Sequence, residues 1–203
     1  MISPTYSDLL TIPVVIDLPH TQISTIESEL SKVIKQLGDD NVSINTTKVK
    51  GEWQRLVKDG GREHLPLIGC DDCPVILWIH GGGFVSGSAA NERWFTRTLA
   101  HLSNAVVFAV DYRLAPQNPF PAALVDVIVA YEFLVNPTPD AHHKPIDPTR
   151  IVVAGDSAGV HSVSNFPLIV GRLGNFTHVL PYDIQSTPIT RGLYCAISSH
   201  RYH

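Results

Sequence analysis

Short, continuously apolar segments alternate with helical patterns in the middle of the chain. Residues 75–79, 105–110 and 151–154 are each apolar throughout, as expected of strands that are covered on both faces. Helical patterns separate them over about 91–101 and over 122–135. This alternation of strand and helix predicts a parallel sheet built from right-handed crossover units.

The pattern before residue 60 is weaker. Apolar residues at helical spacing predict an amphipathic helix over residues 25–37, with Ser24 and Glu27 forming a capping box at its start. Residues 42–50 alternate between apolar and polar, which predicts an edge strand, and residues 53–57 are expected to continue it as a hairpin.

Residues with catalytic potential follow each of the three apolar strands. They are residues 80–83 (HGGG), 111–113 (DYR) and 155–157 (GDS). Because the carboxyl ends of parallel strands meet at one edge of a sheet, we expect these three segments to converge there.

The segment Gly155-Asp-Ser-Ala-Gly159 fits the pattern G-x-S-x-G directly after a strand. A serine at a strained strand-to-helix turn needs glycine two residues away on each side, because the turn leaves no room for other side chains. Such a turn exposes the hydroxyl of Ser157 and directs the N–H of Ala158 towards a developing negative charge. The spacing therefore predicts Ser157 as a nucleophile.

The segment His80-Gly-Gly-Gly-Phe84 supplies a second set of backbone donors. Consecutive glycines let the backbone approach a substrate closely and point N–H groups at an oxyanion. A tight turn without chemistry is the alternative for each motif alone. The two motifs together, each at a strand end, favour a catalytic site.

Four segments together resemble one known family. They are residues 80–84 (HGGGF), 111–116 (DYRLAP), 119–124 (PFPAAL) with Asp126, and 155–159 (GDSAG). In this combination the chain resembles the hormone-sensitive-lipase-like group of α/β-hydrolases, which contains esterases and lipases. The resemblance implies that Gly82, Gly83 and Ala158 form an oxyanion hole beside Ser157. It also implies that Arg113 and Asp126 are structural supports.

By this resemblance we expect a partial α/β-hydrolase fold: a mostly parallel sheet flanked by helices, with the C-terminal strands missing. Residues 1–40 are expected to form a lid or cap segment, 41–166 an incomplete hydrolase core, and 167–203 an irregular tail. Loss of the far strands would leave one side of residues 151–154 as an unpaired edge.

The partners of the serine are harder to find. In this fold an acid and then a histidine follow the nucleophile, and only 46 residues follow Ser157. The tail offers five candidates: Asp183, His161, His178, His200 and His203. For each of them a solvated or loop position is the favoured interpretation. We expect the resemblance to end near Gly159, through a retained intron, a frameshift or an incomplete gene model.

Composition excludes several classes. The net charge is −4 with no basic block, which argues against a nucleic-acid partner. Residues 1–20 lack the features of a signal peptide, and no apolar run reaches about 20 residues, so we expect a cytoplasmic protein. Cys70 and Cys73 lack the partners of a zinc site, and three cysteines argue against a disulfide framework. We expect no cofactor or metal.

Three hypotheses for function remain open. The first is a carboxylic ester hydrolase for small-molecule esters that is impaired because the acid and the histidine of its triad are missing. The second is a non-catalytic ligand-binding relative, as in the plant gibberellin receptors of this family. The third is a non-functional truncated product. The oligomeric state, the natural ester and the preferred acyl length stay open.

Overall fold

Six strands form one mixed sheet within the part of the chain that the computed structural model describes, residues 6–36, 42–57, 73–141, 143–159, 161–162 and 193–196. The strands are β1 (Leu9–Ile16), β2 (Val49–Leu56), β3 (Val75–Ile79), β4 (Val106–Asp111), β5 (Ile151–Asp156) and β6 (Leu193–Ala196), in the spatial order β1-β2-β4-β3-β5-β6. Strands β2 and β6 run opposite to the other four. The sheet is therefore mostly parallel in direction, as expected.

The predicted parallel centre is confirmed. Strand β3 lies between β4 and β5, parallel to both, and its last residue, Ile79, pairs with Val110 on one side and Gly155 on the other. All five residues of β3 are buried, which explains its continuously apolar sequence. The three segments that follow these strands consequently leave the sheet at one edge.

The prediction for residues 42–57 was wrong. Strand β2 begins at Val49, and it is an interior strand between β1 and β4 instead of an edge strand or a hairpin. The sequence pattern of β2 does not look like that of an interior strand, because it contains two polar residues, Glu52 and Gln54. Both are buried because they bond to side chains of a flanking helix. Arg93 Nε donates to Glu52 Oε1 at 2.8 Å, and the Thr96 hydroxyl donates to Gln54 Oε1.

Three α-helices flank the sheet in the described residues: α1 (His20–Gln36), α2 (Arg93–Ser103) and α3 (Ala122–Val135). A 3₁₀ turn, Ala89–Glu92, precedes α2. Helices α2 and α3 agree with prediction, whereas α1 begins earlier, since the Pro19 carbonyl already accepts the N–H of Gln22 and Ile23. The expected capping box is not formed: the Ser24 hydroxyl donates to the Thr21 carbonyl inside the helix.

The two faces of the sheet carry cores of different size. Helices α1 and α3 and one face of the sheet share the larger apolar cluster, while α2 covers the other face with a smaller one. The apolar side chains of α2 are only partly buried. Trp94 and Leu102 remain 58% and 77% exposed, and the buried residues of the helix are Thr96 and Ala100.

The expected lid over residues 1–40 does not stand apart from the sheet. Strand β1 pairs with β2 along eight residues, from Leu9 opposite Leu56 to Ile16 opposite Val49. Helix α1 places its four buried side chains in the larger core with α3: Ile26, Leu30, Val33 and Ile34. The boundary expected near residue 40 therefore divides a single core.

The edge of β5 that we expected to be unpaired carries a strand. The backbone of β6 pairs with it antiparallel, from Val153 opposite Ala196 to Asp156 opposite Leu193. The expectation of an irregular tail over residues 167–203 is thus wrong for residues 193–196, whose weak local pattern gave no sign of a strand.

Two further findings concern expectations from composition. No helix among the described residues combines the length and the apolar character needed to cross a bilayer. Cys73 is disulfide-bonded, although the count of three cysteines argued against a disulfide framework.

Candidate active site

Ser157 occupies a sharp turn between β5 and a helical segment. Its φ angle is 48°, in the left-handed region that side chains other than glycine rarely adopt, and its side chain is exposed. Residues 158–159 and 161–162 are helical, and Ala158 is buried. A strained backbone at the tip of a turn holds the hydroxyl away from the sheet, as the sequence predicted.

Close packing fixes this turn. A Cβ atom at position 155 would lie 2.6 Å from the Ile79 carbonyl oxygen and 2.9 Å from the backbone of Gly159. A Cβ atom at position 159 would overlap the same Ile79 oxygen. Both glycines are therefore required because the turn crosses directly over the end of β3, which is the physical reason given for the G-x-S-x-G spacing.

The glycine-rich loop lies against this turn. A Cβ atom at position 81 would lie 3.3 Å from the Cβ of Ser157 and 2.6 Å from a carboxylate oxygen of Asp156. Gly82 and Gly83 follow with φ angles of 111° and 63°. Within the described residues, their N–H groups donate no hydrogen bond. Two unused backbone donors thus lie next to the residue that touches the serine turn.

A buried aromatic pair supports the start of the loop. The rings of His80 and Tyr112 stack with centroids 4.0 Å apart, and the Tyr112 hydroxyl donates to the His80 carbonyl at 2.8 Å. Burial raises the pKa of Tyr112 above its usual value, and the negative charge of Glu92 adds to this. No role was predicted for Tyr112 from the sequence. Its position directly after β4 was the feature that could have indicated its place beside the glycine-rich loop.

Arg113 and Asp126 form a buried ion pair below the neighbouring loop. Arg113 Nη2 lies 2.8 Å from Asp126 Oδ1, and the backbone N–H of Arg113 donates to Asp126 Oδ2 at 2.7 Å. Asp126 is only 1% exposed, and this burial raises the pKa of its carboxyl, while the contacts with Arg113 oppose the rise. The pair ties the residues after β4 to α3.

Glu92 also contacts the glycine-rich loop, and sequence analysis missed it. Its carboxylate accepts the backbone N–H of Gly81 at 3.0 Å and the indole N–H of Trp78 at 2.7 Å. No local pattern marks this role, because the contact joins residues that lie eleven positions apart.

Within the described residues, the Ser157 hydroxyl makes no hydrogen bond. His161 is exposed on the helical segment one turn beyond it. Asp183, His178, His200 and His203 lie outside the described residues. The described part of the chain also contains no cluster of three or more side chains suited to a metal ion.

A family model described as alpha/beta hydrolase fold matches residues 76–173. This range contains the glycine-rich loop and the serine turn, and it extends beyond Gly159, where we expected the resemblance to end. The expected end of the resemblance was therefore wrong.

Known esterases are similar to part of this chain. Esterase LipI of Mycobacterium tuberculosis is 42% identical over 90 residues, covering 43% of this chain and 27% of that protein. Probable carboxylesterase 6 of Arabidopsis thaliana is 44% identical over 134 residues, covering 61% of this chain and 37% of that protein. A solved esterase of Pyrobaculum calidifontis superposes with a TM-score of 0.50 at 30% identity, covering 75% of this chain and 49% of its own.

The chain thus spans less than half the length of each of these three relatives. The family model covers both the glycine-rich loop and the serine turn, and together with the named esterases it supports the resemblance to hormone-sensitive-lipase-like α/β-hydrolases.

Proposed function

We propose that this chain carries the nucleophile and the oxyanion hole of a carboxylic ester hydrolase. Ser157 is the nucleophile, and the N–H groups of Gly82, Gly83 and Ala158 are the oxyanion donors. The observation that carries the proposal is the contact between the two loops: position 81 abuts Ser157, and the two residues that follow have unused N–H groups.

The reaction uses this arrangement in two stages. The Ser157 oxygen bonds to the carbonyl carbon of the ester, and the carbonyl oxygen becomes an oxyanion that the backbone N–H groups receive. Collapse of this intermediate breaks the bond to the alcohol, which leaves with a proton, and the acyl group stays on the serine. Water then attacks the acyl-enzyme, and the carboxylic acid is released.

The proton of the serine needs an acceptor, and here the site is incomplete in the described residues. The Ser157 hydroxyl has no histidine partner among them. Without a base the rate falls by several powers of ten, although an oxyanion hole alone can retain about 10³- to 10⁴-fold catalysis over water. We therefore propose impaired hydrolysis by this chain itself.

Small-molecule esters with short or medium acyl groups are the proposed substrates. The esterases among the relatives support this class, as does the exposed position of Ser157 at the edge of the sheet. Neither a cofactor nor a metal is needed for this chemistry, because the backbone donors carry the charge of the transition state.

Hydrolysis of p-nitrophenyl acetate and butyrate tests the proposal. We expect slow turnover that Ser157→Ala abolishes, and labelling of Ser157 by a fluorophosphonate, located by peptide mass spectrometry. The matched control is Ser103→Ala at the end of α2, where the hydroxyl bonds only to the Leu99 carbonyl within its own helix. Equal rates in the parent and Ser157→Ala would refute the assignment of Ser157.

The same samples distinguish a ligand-binding relative from an impaired enzyme. A binding protein is stabilised against heat by an ester or its carboxylate product, yet it shows neither turnover nor fluorophosphonate labelling at Ser157. The observation that favours this second candidate is that the Ser157 hydroxyl has no hydrogen-bond partner within the described residues.

A further inference from the structure

Glu92 connects the interior of the sheet to the glycine-rich loop. One carboxylate oxygen, Oε1, accepts the N–H of Gly81 at 3.0 Å, and the other, Oε2, accepts the indole N–H of Trp78 at 2.7 Å. Trp78 is a fully buried residue of β3, whereas Gly81 lies beyond the end of the same strand. Charge-assisted hydrogen bonds of this kind are shorter and stronger than neutral ones.

The position of Glu92 is itself fixed by its neighbours. It is the last residue of the 3₁₀ turn before α2, and its carbonyl accepts the Thr96 hydroxyl at 3.2 Å. The next residue, Arg93, pairs with Glu52 on β2. The carboxylate is therefore held from both the helix and the sheet, and it can transmit that order to the loop.

The other polar atom of Gly81 is held as well. Its carbonyl oxygen lies 2.7 Å from Nδ1 of His80 and accepts the Tyr112 hydroxyl at 3.4 Å. Both peptide groups that meet at Gly81 are thus anchored, and the chain then passes into Gly82 and Gly83, whose N–H groups are unused within the described residues.

We propose that Glu92 is a positioning residue that sets the direction of the Gly82 and Gly83 N–H groups by fixing the Gly81 N–H. The proposal rests on the proposed function, since the direction of these groups matters only if they receive an oxyanion. Glu92 does not bond to Ser157 within the described residues, so it acts through Gly81. Oxyanion donors must lie about 2.7–3.1 Å from the oxyanion, a tolerance of a few tenths of an ångström, which makes such an anchor effective.

The two bonds explain why a carboxylate is required. Both groups that face Glu92 are N–H donors, so the side chain must offer two acceptors. A glutamine offers one acceptor and one NH₂ group, which leaves one donor opposed by another donor. In Glu92→Gln the amide NH₂ group opposes the N–H of either Trp78 or Gly81. Trp78→Phe removes the indole N–H, so that the amide oxygen can accept the Gly81 N–H alone.

The kinetic test compares four variants: Glu92→Gln, Glu92→Ala, Trp78→Phe, and the double variant of Trp78→Phe with Glu92→Gln. For Glu92→Ala we expect kcat for p-nitrophenyl butyrate to fall about 10- to 100-fold with KM within about twofold, because misplaced donors weaken transition-state binding selectively. Glu92→Gln should fall less, and its kcat should rise again in the double variant when compared with Trp78→Phe. The control is Glu29→Gln, a half-buried glutamate of α1 that pairs with Lys32.

A simple loss of folding would not give this pattern. It would lower the amount of active protein, and with it the apparent kcat at unchanged KM, but it would not give a rescue of Glu92→Gln by Trp78→Phe. Unchanged kcat in Glu92→Ala overturns the proposal. So does an absence of rescue, in which Glu92→Gln lowers kcat by the same factor in the Trp78→Phe background as in the parent.

Amide hydrogen exchange gives a measurement that does not depend on turnover. In Glu92→Ala we expect exchange of the Gly81 N–H, followed by NMR, to become at least about tenfold faster than in Glu29→Gln, since a bonded amide is lost. An unchanged Gly81 exchange rate overturns the anchoring role whatever the activity. Absence of Ser157-dependent turnover in the parent instead refutes the proposed function, and the exchange measurement still decides whether Glu92 holds the loop.

Discussion

The glycine-rich loop and the serine turn meet at the ends of adjacent strands, but they are held by different means. The loop is held by polar contacts: Glu92 and Tyr112 bond to the peptide groups around Gly81. The turn is held by close packing, since Gly155 and Gly159 lie against the Ile79 carbonyl with no space for a side chain.

This difference separates two kinds of sensitivity. A polar support can be weakened stepwise, because each hydrogen bond contributes only about 0.5–1.5 kcal/mol net. A packed backbone crossing tolerates no added atom, because the neighbouring atom is a backbone oxygen that cannot rotate away. We therefore expect substitutions of the loop's polar supports to change its geometry gradually and substitutions of the turn glycines to disrupt the turn outright.

The largest effect should come from the buried ion pair beside the loop. Arg113→Met leaves the Asp126 carboxylate buried without its cation, which should lower the free energy of unfolding by about 3–5 kcal/mol at neutral pH. Urea denaturation measures this loss. The control is Arg97→Met, which breaks an exposed pair with Asp8 and should have little effect.

The loss in Arg113→Met should depend on pH with a defined sign. Burial already raises the pKa of Asp126 above its usual 3.8, and removal of Arg113 raises it further. When the pKa of a group is raised in the folded state, its contribution to the free energy of unfolding is fully present below pH 3.8, the usual pKa of the carboxyl. That contribution is lost as the pH rises through the folded-state pKa. The deficit should therefore shrink as the pH falls and Asp126 becomes protonated. A deficit that grows on acidification would contradict this account.

The next effect tests the packed turn. Gly159→Ala places a methyl group against the Ile79 oxygen, and we expect a loss of about 1–3 kcal/mol together with loss of fluorophosphonate labelling at Ser157. Gly83→Ala is the comparison in the loop. Its Cβ would meet only Val85 at 3.9 Å, so the cost is the left-handed backbone alone, about 1 kcal/mol. Equal losses would remove the distinction between the two regions.

The smallest effect tests a single polar support. Tyr112→Phe removes the hydroxyl that donates to the His80 carbonyl but keeps the ring stacked on His80, so we expect a loss of about 1 kcal/mol. Thermal unfolding followed by circular dichroism is sufficient to detect it. A loss clearly larger than that of one hydrogen bond would indicate that the loop, like the turn, depends on packing.

The centre of the sheet could be predicted from sequence because burial on both faces leaves a local record. Strands β3, β4 and β5 are apolar runs, and the motifs at their ends follow from the geometry of parallel strands. The glycines of the serine turn, Gly155 and Gly159, could also be predicted from sequence, since a turn that crosses a backbone oxygen leaves no space for a side chain.

Strand β2 could not be predicted, because its burial depends on distant partners. Glu52 and Gln54 make β2 appear polar, and only Arg93 and Thr96 on α2 explain how they are buried. Glu92 was missed for the same reason, as it looks like an ordinary polar residue before a helix. Partners that are far apart in the sequence leave no periodic pattern.

The position of β3 between β4 and β5 has a consequence for the order of folding. Its pairing with β4 joins Val75 to Val106, whereas its pairing with β5 joins Val75 to Ile151, a much longer loop to close. Contacts of greater sequence separation form more slowly, so β5 should dock after β3 and β4 have paired. Because Ser157 reaches the glycine-rich loop only when β5 is in place, its reactivity reports completion of the sheet, and a labelling time course would follow this late step directly.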